Sequence, residues 1–356
     1  MSWKRVRLAD IIYMRTGKLD SNASVPDGDY PFFTCSQQTL RIDEPAFDTK
    51  AVLLGGNNAA GVFPLKYYEG QFNAYQRTYV IESLDPKVLN IRFLFYSLIP
   101  ALSHFQSVSI GATTQYLTKG ILDNFQVALP SISKQDRIAS ILSAYDDLIE
   151  NNRRRIQLLE QAARLLYSEW FVYLRFPAHE HVKIKDGVPE GWEKKPLGEV
   201  APLRYGKALK KDDRVSGSFP VYGSSGIVGT HKKALVTGPA IIVGRKGNVG
   251  SVYWSKNDFH PIDTVYFIET KYCTTYLYYA LLHMQFINTD VAVPGLNRDL
   301  AHSRTLLIPD DKIFALFEQD VVVIHNQIDL LTKYNEALTQ ARDILLPRLM
   351  NGEVAV

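Results

Sequence analysis

The chain has 356 residues, 46% of them hydrophobic and 22% charged, with a formal net charge of +3. A chain of this length and composition is too long for one small core and is typical of an ordinary globular protein with two domains. Its two cysteines exclude a disulfide framework and a cysteine-based zinc site, and its mild charge permits a polyanionic partner without requiring one.

No targeting or membrane segment is predicted. Residues 1–10 are rich in basic side chains but have no apolar run behind them, unlike a signal peptide. The longest apolar stretches, 93–102 and 276–284, are shorter than the roughly 20 residues that a membrane-spanning helix needs. We therefore expect a cytoplasmic protein without membrane contact, in which these stretches form buried helices.

The first half of the sequence recurs in the second half. Trp3 and Trp192 begin matching stretches offset by 189 positions (192 minus 3). The same offset relates Leu8 to Leu197, Gly17–Lys18 to Gly206–Lys207, Pro31 to Pro220, Ser36 to Ser225, and Gly61 to Gly250. The repeat is too long for a solenoid unit of about 20–50 residues. It predicts two similar domains, which usually address a partner with two similar halves, and DNA is the obvious candidate.

Each half predicts the same series of elements. In the first half these are strands at 51–54 and 77–81, helical periodicity over 91–105, a polar loop at 111–117 and a strand at 125–130. A polar linker at 178–190 follows. In the second half they are strands at 240–243 and 265–268, a helix at 275–286, a polar loop at 294–299 and a strand at 305–309.

Each half ends in a heptad pattern, in which apolar residues recur at alternating spacings of four and three. The first seam is Ile138, Leu142, Tyr145, Ile149, Asn152, Ile156, Leu159, Ala163, Leu166 and Trp170. The second seam is Phe314, Phe317, Val321, Ile324, Ile328, Leu331, Asn335, Leu338, Arg342, Leu345 and Leu349. Pro347 should kink or end the second helix.

Two such helices cannot leave their apolar seams in water, so we expect them to pair. Antiparallel pairing follows if the two halves are related by a pseudo-twofold axis, and the helices would then separate the two domains as a fixed spacer. Asn152 and Asn335 both occupy seam positions near the middle of their helices. A buried Asn at such a position sets the register of the pair, and we predict that these two side chains face each other.

The whole chain resembles the specificity (S) subunit of type I restriction-modification systems. The residues that carry the resemblance are Leu129–Pro130 with Gln135, Ile138 and Ile141, Tyr167–Phe171, Val188–Trp192 and Leu345–Glu353. The Pro-Glu-Gly-Trp element and the Leu-Leu-Pro-Arg-Leu tail are specific when they occur together. One departure is that the second helix has no clear Gln counterpart of Gln135, although Glu318–Gln319 follows.

The resemblance implies an α+β fold with two target-recognition domains separated by two long antiparallel coiled-coil helices. The implied boundaries are 1–131 for the first recognition domain, 132–177 for the first helix, 178–309 for the linker and second recognition domain, and 310–356 for the second helix and tail. It also implies a non-catalytic subunit that binds double-stranded DNA and recruits two methyltransferase (modification) subunits, to which restriction motor subunits can be added. No cofactor is expected in this chain, because S-adenosylmethionine, ATP and Mg would be held by the partner subunits.

The sequence lacks the motifs of a catalytic chain, and we predict neither catalytic residues nor a metal site. It has no Asn/Asp-Pro-Pro-aromatic motif, no phosphate-binding loop and no Gly-x-Ser-x-Gly. Gly-rich residues 244–250 are interpreted as a turn between strands. The pair His179 and His181 lies in the polar linker, where a solvated loop is the better interpretation. A nuclease cluster of Asp43, Asp48 and Lys50 is a weak alternative.

Candidate DNA-binding residues are basic, amide and hydroxyl side chains near Gly-rich turns, since cations contact phosphates and forked polar groups recognise base edges. In the first half they are Arg15, Lys18, Asn57, Asn58, Tyr75, Gln76, Arg77, Gln115, Tyr116 and Lys119. In the second half they are Arg204, Lys207, Ser224, Ser225, Lys232, Lys233, Arg245, Lys246, Asn248, Asn297 and Arg298.

The two halves differ at these turns, with Asn57–Asn58 in one and Lys246–Gly247 in the other. We therefore expect a bipartite, asymmetric target. An alternative function is a coiled-coil adaptor that joins two protein partners without binding DNA. A free-standing nuclease is a third possibility, which a metal-dependent cleavage assay of the chain would test.

Overall fold

The computed structural model describes residues 3–59, 61–284, 286 and 295–354. The chain forms two compact units: unit 1 consists of Met1–Asn152 with Lys333–Val356, and unit 2 of Arg153–Thr332. The helices of the described residues are α1 (Ile91–Leu98), α2 (Leu102–Val108), α3 (Lys119–Asn124), α4 (Ile132–Tyr167), α5 (Leu197–Val200), α6 (Thr275–Met284), α7 (Arg298–His302) and α8 (Asp311–Met350). Parts of both long helices, α4 and α8, therefore belong to each unit.

Unit 1 is built on a six-stranded sheet. The strands of unit 1 are β1 (Lys4–Arg7), β2 (Ile12–Thr16), β3 (Tyr30–Phe33), β4 (Leu40–Ile42), β5 (Phe47–Gly55), β6 (Asn57–Asn58), β7 (Leu65–Ala74), β8 (Thr78–Ser83), β9 (Gln115–Tyr116) and β10 (Gln126–Leu129). The large sheet has the order β2-β8-β5-β7-β3-β4, and β1 pairs with β10 and β6 with β9. Only the β3–β7 pairing in this sheet is parallel.

Unit 2 repeats this arrangement in two smaller sheets. Its strands are β11 (Ile184–Lys185), β12 (Val188–Pro189), β13 (Glu193–Pro196), β14 (Arg204–Tyr205), β15 (Phe219–Gly223), β16 (Gly226–His231), β17 (Ala240–Gly244), β18 (Val252–Ser255), β19 (His260–Pro261), β20 (Val265–Ile268) and β21 (Thr305–Ile308). The order β14-β20-β17-β18 matches β2-β8-β5-β7 of unit 1, and β13–β21 matches β1–β10. The parallel β15–β19 pair corresponds to β3–β7.

Several predicted elements need correction. The helical region predicted over 91–105 is two helices, α1 and α2. The predicted polar loop at 111–117 contains strand β9, because its backbone pairs with Asn57–Asn58. The predicted polar loop at 294–299 contains the start of α7, since the Asn297 side chain accepts the backbone N–H groups of Asp299 and Leu300 and so begins a helix. Pro294 lies outside the described residues. Helix α8 continues through Pro347 to Met350.

The core of unit 1 is closed by the C-terminal end of α8. Leu346 and Leu349 are buried there beside Ile138 and Leu142 of α4 and the apolar face of α1. Trp3 packs against Gly352, where an added Cβ would lie 3.3 Å from the indole ring. The Leu-Leu-Pro-Arg-Leu tail is therefore a structural part of this unit's core.

The core of unit 2 is closed by the C-terminal end of α4. Tyr167, Trp170 and Phe171 are buried with Phe317 of α8, and the Phe171 and Phe317 ring centroids are 4.9 Å apart. Trp192 donates its indole N–H to Asp310 at 3.1 Å. The other carboxylate oxygen of Asp310 accepts the backbone N–H groups of Lys312 and Ile313 at the start of α8. The Pro-Glu-Gly-Trp element therefore anchors the start of this helix.

The heptad seams lie inward throughout. All 21 predicted seam residues of α4, its short π-helical extension (Ser168–Val172) and α8 are buried or half-buried. In unit 1 the helices run antiparallel, because Asp146 contacts Arg342 and Asn152 contacts Asn335. In unit 2 the end of α4 lies beside the start of α8.

Gln135 and Glu318 connect the long helices to the cores. Gln135 is fully buried, donates to the carbonyls of Val88 and Pro130, and accepts the backbone N–H of Asn90 at the start of α1. Glu318 lies one turn further along α8 and accepts the backbone N–H groups of Thr275 and Tyr276 at the start of α6. In unit 2 the carboxylate of Glu318 thus caps the start of a helix, as the side-chain amide of Gln135 does in unit 1.

Candidate nucleic-acid interface

In each unit, the central strand ends in a Gly-rich turn that lies beside the start of a neighbouring strand. In unit 1 the backbone N–H of Gly56 donates to Arg77, and the carbonyl of Gly56 accepts the N–H of Leu117. In unit 2 Arg245 makes the equivalent pair of hydrogen bonds with Thr264 and Leu296. This backbone scaffold brings three segments that are distant in sequence to one edge of each unit.

A tyrosine supports this edge in both units, half-buried in unit 1 and buried in unit 2. The hydroxyl of Tyr79 donates to the carbonyl of Leu117 at 2.8 Å, and the hydroxyl of Tyr266 donates to the carbonyl of Leu296 at 2.9 Å. Burial is the main cause that raises the pKa of both tyrosines. Each hydroxyl therefore stays protonated at neutral pH and remains a donor that holds the third segment in place.

The unit 1 edge brings together five of the predicted residues. Asn57 pairs with Tyr116 and Asn58 with Gln115 through the β6–β9 ladder. The guanidinium carbon of Arg77 lies 5.5 Å from the ring centroid of Tyr116, within cation–π range. Amide groups therefore dominate this edge, together with one stacked arginine.

The unit 2 edge uses the same backbone but carries cations. Arg245 packs over the rings of Tyr205 and Tyr266, with its guanidinium carbon 5.0 and 5.7 Å from their centroids. Arg298 packs over Tyr205 at 5.1 Å. Lys246 and Asn248 follow Arg245 in the turn and are exposed. The segment 244–250 is a turn between β17 and β18, which confirms that interpretation of its glycines.

The repeated Gly-Lys pair is explained by close backbone approach. A Cβ on Gly17 would lie 1.7 Å from the carbonyl oxygen of Ala74, and one on Gly206 would lie 2.0 Å from that of Ile262. Only glycine fits at these two positions. The following residues, Lys18 and Lys207, are exposed in their units.

Some predicted residues are committed to contacts within the protein. Arg15 pairs with Glu82 at 3.0 Å and packs over Phe47. Lys119 pairs with Asp123 at 2.7 Å. Ser224 is only 9% exposed, and its carbonyl accepts the hydroxyls of Ser251 and Tyr253. It therefore holds the 244–250 turn in shape.

Four more of the predicted residues make contacts within the protein that are longer or involve only part of the residue. Gln76 donates to Asp20 at 3.2 Å, Tyr75 is half-buried and bridged to Leu19, Arg204 lies 3.7 Å from Glu269, and Asn297 caps α7. Ser225, Lys232 and Lys233 are exposed on or beside the β15–β16 hairpin of unit 2.

The shared role of Tyr79 and Tyr266 was not predicted, because the 189-residue offset of the repeat relates Tyr79 to Ile268 (79 plus 189). The backbone hydrogen bonds show the equivalence: each tyrosine stands two positions after the residue, Arg77 or Thr264, that accepts the turn's backbone N–H. Among the described residues, no group of three or more His, Cys, Asp or Glu side chains is arranged so that it could hold a metal ion. Lys50 of the weak nuclease cluster pairs with Glu69 instead. No helix in the described ranges is long and apolar enough to cross a membrane.

The comparison with known families agrees with this geometry. A family profile for the type I restriction modification DNA specificity domain matches residues 1–161 and 189–298. These two segments cover most of the chain and correspond to its two halves. The chain therefore belongs to the type I restriction modification DNA specificity domain family.

Individual relatives point the same way. The chain is 43% identical over 161 residues to the EcoDI specificity subunit of Escherichia coli, covering 45% of the chain and 35% of that subunit. It is 25% identical to the MjaIX specificity subunit of Methanocaldococcus jannaschii over 71% of the chain and 66% of that subunit. The chain thus spans between about a third and two thirds of the length of these curated relatives.

Other relatives and solved structures match along almost the whole chain. The putative specificity subunit S.MgeORF438P of Mycoplasma genitalium is 23% identical over 98% of the chain and 94% of its own length. The crystal structure of the S subunit from M. genitalium matches with a TM-score of 0.61 and 19% identity, covering 98% of this chain and 96% of that one. The two share a fold.

Proposed function

We propose that the chain selects the DNA sequence on which a type I restriction-modification complex acts. The observation that carries the proposal is that the two units present different side chains on one backbone scaffold, with Asn57 and Asn58 in unit 1 and Lys246 and Gly247 in unit 2. Amide side chains pair with adenine edges, whereas Lys and Arg pair with guanine edges or phosphates. Two such edges would recognise the two unequal halves of a bipartite target.

We also infer that this chain is not an enzyme and that its partners perform the chemistry. The matched family is a specificity domain, and the relatives are named specificity subunits. Two modification subunits would hold S-adenosylmethionine, and restriction motor subunits, where present, would hold ATP and Mg. The chain's own contribution is the choice of sequence.

Exposed apolar side chains on the long helices support a partner-binding role. In unit 2, Leu158 and Leu165 of α4 and Val323 and Leu330 of α8 are exposed, each pair one heptad apart and outside the buried seam. In unit 1, Leu148 of α4 and Tyr334 and Ile344 of α8 are also exposed. Apolar stripes at helical spacing are typical of surfaces that bind a partner helix. We propose that they bind the modification subunits.

The central experiment is to co-purify the chain with its modification subunits and to map the methylated adenines by sequencing. Exchanging residues 1–130 for those of a relative should change only one half of the methylated motif. Exchanging residues 190–309 should change the other half. A motif that both exchanges leave unaltered would overturn the assignment of half-sites to units.

A second experiment tests recruitment. Leu158→Glu together with Leu165→Glu should abolish co-purification of a modification subunit, because a charged group replaces each apolar contact. Gln157→Glu on the same helix is the control, since Gln157 is exposed and polar and lies about a quarter turn around the helix from Leu158 and Leu165. Retained co-purification by the double variant would show that this stripe does not bind the partner.

The coiled-coil adaptor without DNA binding is separated from the leading proposal by salt dependence. A complex that contacts DNA phosphates binds duplex with an affinity that falls steeply as salt rises. An adaptor would assemble the same partners but show no such dependence.

A further inference from the structure

Two arginines of unit 2 share one aromatic ring. Tyr205 lies on β14, Arg245 follows the end of β17, and Arg298 is the first residue of α7. The guanidinium carbons of Arg245 and Arg298 lie 5.0 and 5.1 Å from the centroid of the Tyr205 ring. Three segments far apart in sequence thus place two positive charges on one exposed side chain, since Tyr205 is 49% exposed.

Neither guanidinium group is neutralised by a close buried carboxylate, and that of Arg245 is oriented by a hydrogen bond. Nη1 of Arg245 donates to the backbone carbonyl of Asp263 at 3.1 Å, which orients the group without cancelling its charge. Nε of Arg298 is buried and has no hydrogen-bond acceptor among the described residues. Its nearest carboxylate, Asp299, lies 3.8 Å away and is 87% exposed, so solvent screens that pair.

Unit 1 has different residues at the equivalent positions. Thr16 stands in place of Tyr205, Gly56 in place of Arg245, and Lys119 in place of Arg298, as their matching strand and turn contacts show. The charge of Lys119 is taken up by Asp123 at 2.7 Å. The equivalent backbone contacts of unit 1 form without such a pair, so the shared scaffold does not require it.

We propose that Arg245 and Arg298, stacked on Tyr205, form an anion site that binds a phosphate group of the DNA backbone. The inference rests on the proposed DNA-binding function. A backbone phosphate suits the site, because two guanidinium groups on one ring place two positive charges side by side, and the oxygens of one phosphate can accept hydrogen bonds from both. Nη groups of both arginines keep free donors for such an anion, since Arg245 uses one Nη1 donor and only Nε of Arg298 is buried.

Under this proposal, different residues of unit 2 contact the DNA backbone and the bases. The arginine pair would supply affinity that does not depend on sequence, and the exposed side chains beside it, Lys246 and Asn248, would be left to contact bases. Unit 1, without the pair, would contribute less of the sequence-independent affinity.

The test measures binding of the full chain, purified with its modification subunits, to two duplexes of about 30 base pairs. One contains the mapped target and the other has a scrambled sequence of the same composition. Binding is measured between about 50 and 200 mM KCl, where phosphate contacts dominate the salt dependence. The variants are Arg245→Gln with Arg298→Gln, and Tyr205→Leu. Lys185→Gln is the control, because it removes an exposed charge elsewhere in unit 2.

The double arginine variant should weaken binding to both duplexes by the same factor and lower the slope of log K against log salt by about one. Tyr205→Leu should weaken both as well, although it removes no charge, and Lys185→Gln should not. An effect of Lys185→Gln as large as that of the arginine variant would show that only the net charge of the chain matters, and it would overturn the inference. An unchanged slope of log K against log salt would overturn it as well.

A loss confined to the target duplex would assign the pair to base recognition and would also overturn the phosphate site. If the unmodified complex binds neither duplex in a salt-dependent way, the proposed function itself fails. Circular dichroism melting of each variant shows whether unit 2 remains folded, and Arg245→Lys with Arg298→Lys keeps the charge if the glutamine variant unfolds. The lysine variant should bind more weakly than the unmodified chain, because lysine lacks the planar group that stacks on the ring.

Discussion

Asn152 donates a hydrogen bond from Nδ2 to Oδ1 of Asn335 at 3.0 Å, between α4 and α8 in unit 1. Asn152 is 8% exposed, and its neighbours along the seam are apolar. The pair is therefore a polar contact inside an otherwise apolar helix interface. A one-residue shift of either helix would leave both amides without a partner.

Replacing both amides with leucine should stabilise unit 1. Asn152→Leu with Asn335→Leu exchanges one hydrogen bond, worth about 1 kcal/mol, for one buried and one half-buried apolar side chain. We expect the free energy of unfolding to rise by about 1–2 kcal/mol in urea titrations. Asn152→Leu alone leaves the Asn335 amide without its hydrogen-bond partner, so the free energy of unfolding should rise less. A double variant that is less stable than the unmodified chain would contradict the account.

Gln135 is expected to be the most sensitive polar residue at the start of α4. Gln135→Met keeps the volume but removes two donated hydrogen bonds and one accepted bond in a fully buried place. Leaving such partners unsatisfied costs about 1–3 kcal/mol each when they are buried. We expect a loss of about 3 kcal/mol in the free energy of unfolding. Exposed Ser133→Ala in the same helical turn serves as the control and should change stability by under about 0.5 kcal/mol.

His325 should make unit 2 less stable in acid. Burial, with a smaller effect of Lys256, lowers the pKa of the His325 imidazole, whose Nε2 is hydrogen-bonded to the hydroxyl of Tyr279 at 2.7 Å. Below the ordinary histidine pKa of about 6.5, the unfolded chain therefore binds more protons than the folded one. The contribution of His325 is present above about pH 6.5 and is lost as the pH falls.

The measurement is the free energy of unfolding at pH values between about 7.5 and 5.5. His325→Gln should lower the slope against pH by up to about 1.4 kcal/mol per pH unit, the value for one proton. His260 and His302, whose pKa values are also lowered by burial, keep part of the slope. The exposed His181→Gln is the control. Equal slopes for the two variants would show that His325 is not responsible.

Cys273 should resist alkylation. Burial, with a smaller effect of Glu318, raises the pKa of its thiol to about 12, so very little thiolate is present near neutral pH. Because only the thiolate reacts, iodoacetamide should label Cys273 at least about 100-fold more slowly in the folded chain than in urea. Mass spectrometry of a Cys35→Ser variant isolates this rate. Equal rates in the two states would be inconsistent with a half-buried thiol whose pKa is raised.

Local patterns in the sequence determined much of the fold. Strand β20 begins and ends where the sequence predicts, and the heptad positions identify the buried face along both long helices, because burial imposes a periodicity that a single segment displays. The offset between Trp3 and Trp192 predicts two similar units. The family follows from short motifs, and their contacts, such as that of Trp192 with Asp310, explain why those residues occur together.

Only the tertiary structure decided which candidate residues meet. Gln115 and Tyr116 lie in a segment that predicts a loop, and they form a strand because Asn57 and Asn58 supply its partner from far along the chain. Arg15 is a plausible DNA contact in sequence, yet Glu82 of a neighbouring strand takes up its charge. Arg245 and Arg298 are brought together only because both pack on Tyr205. Periodicity records whether a side chain is buried, whereas a partner distant in sequence is fixed by strand pairing and packing.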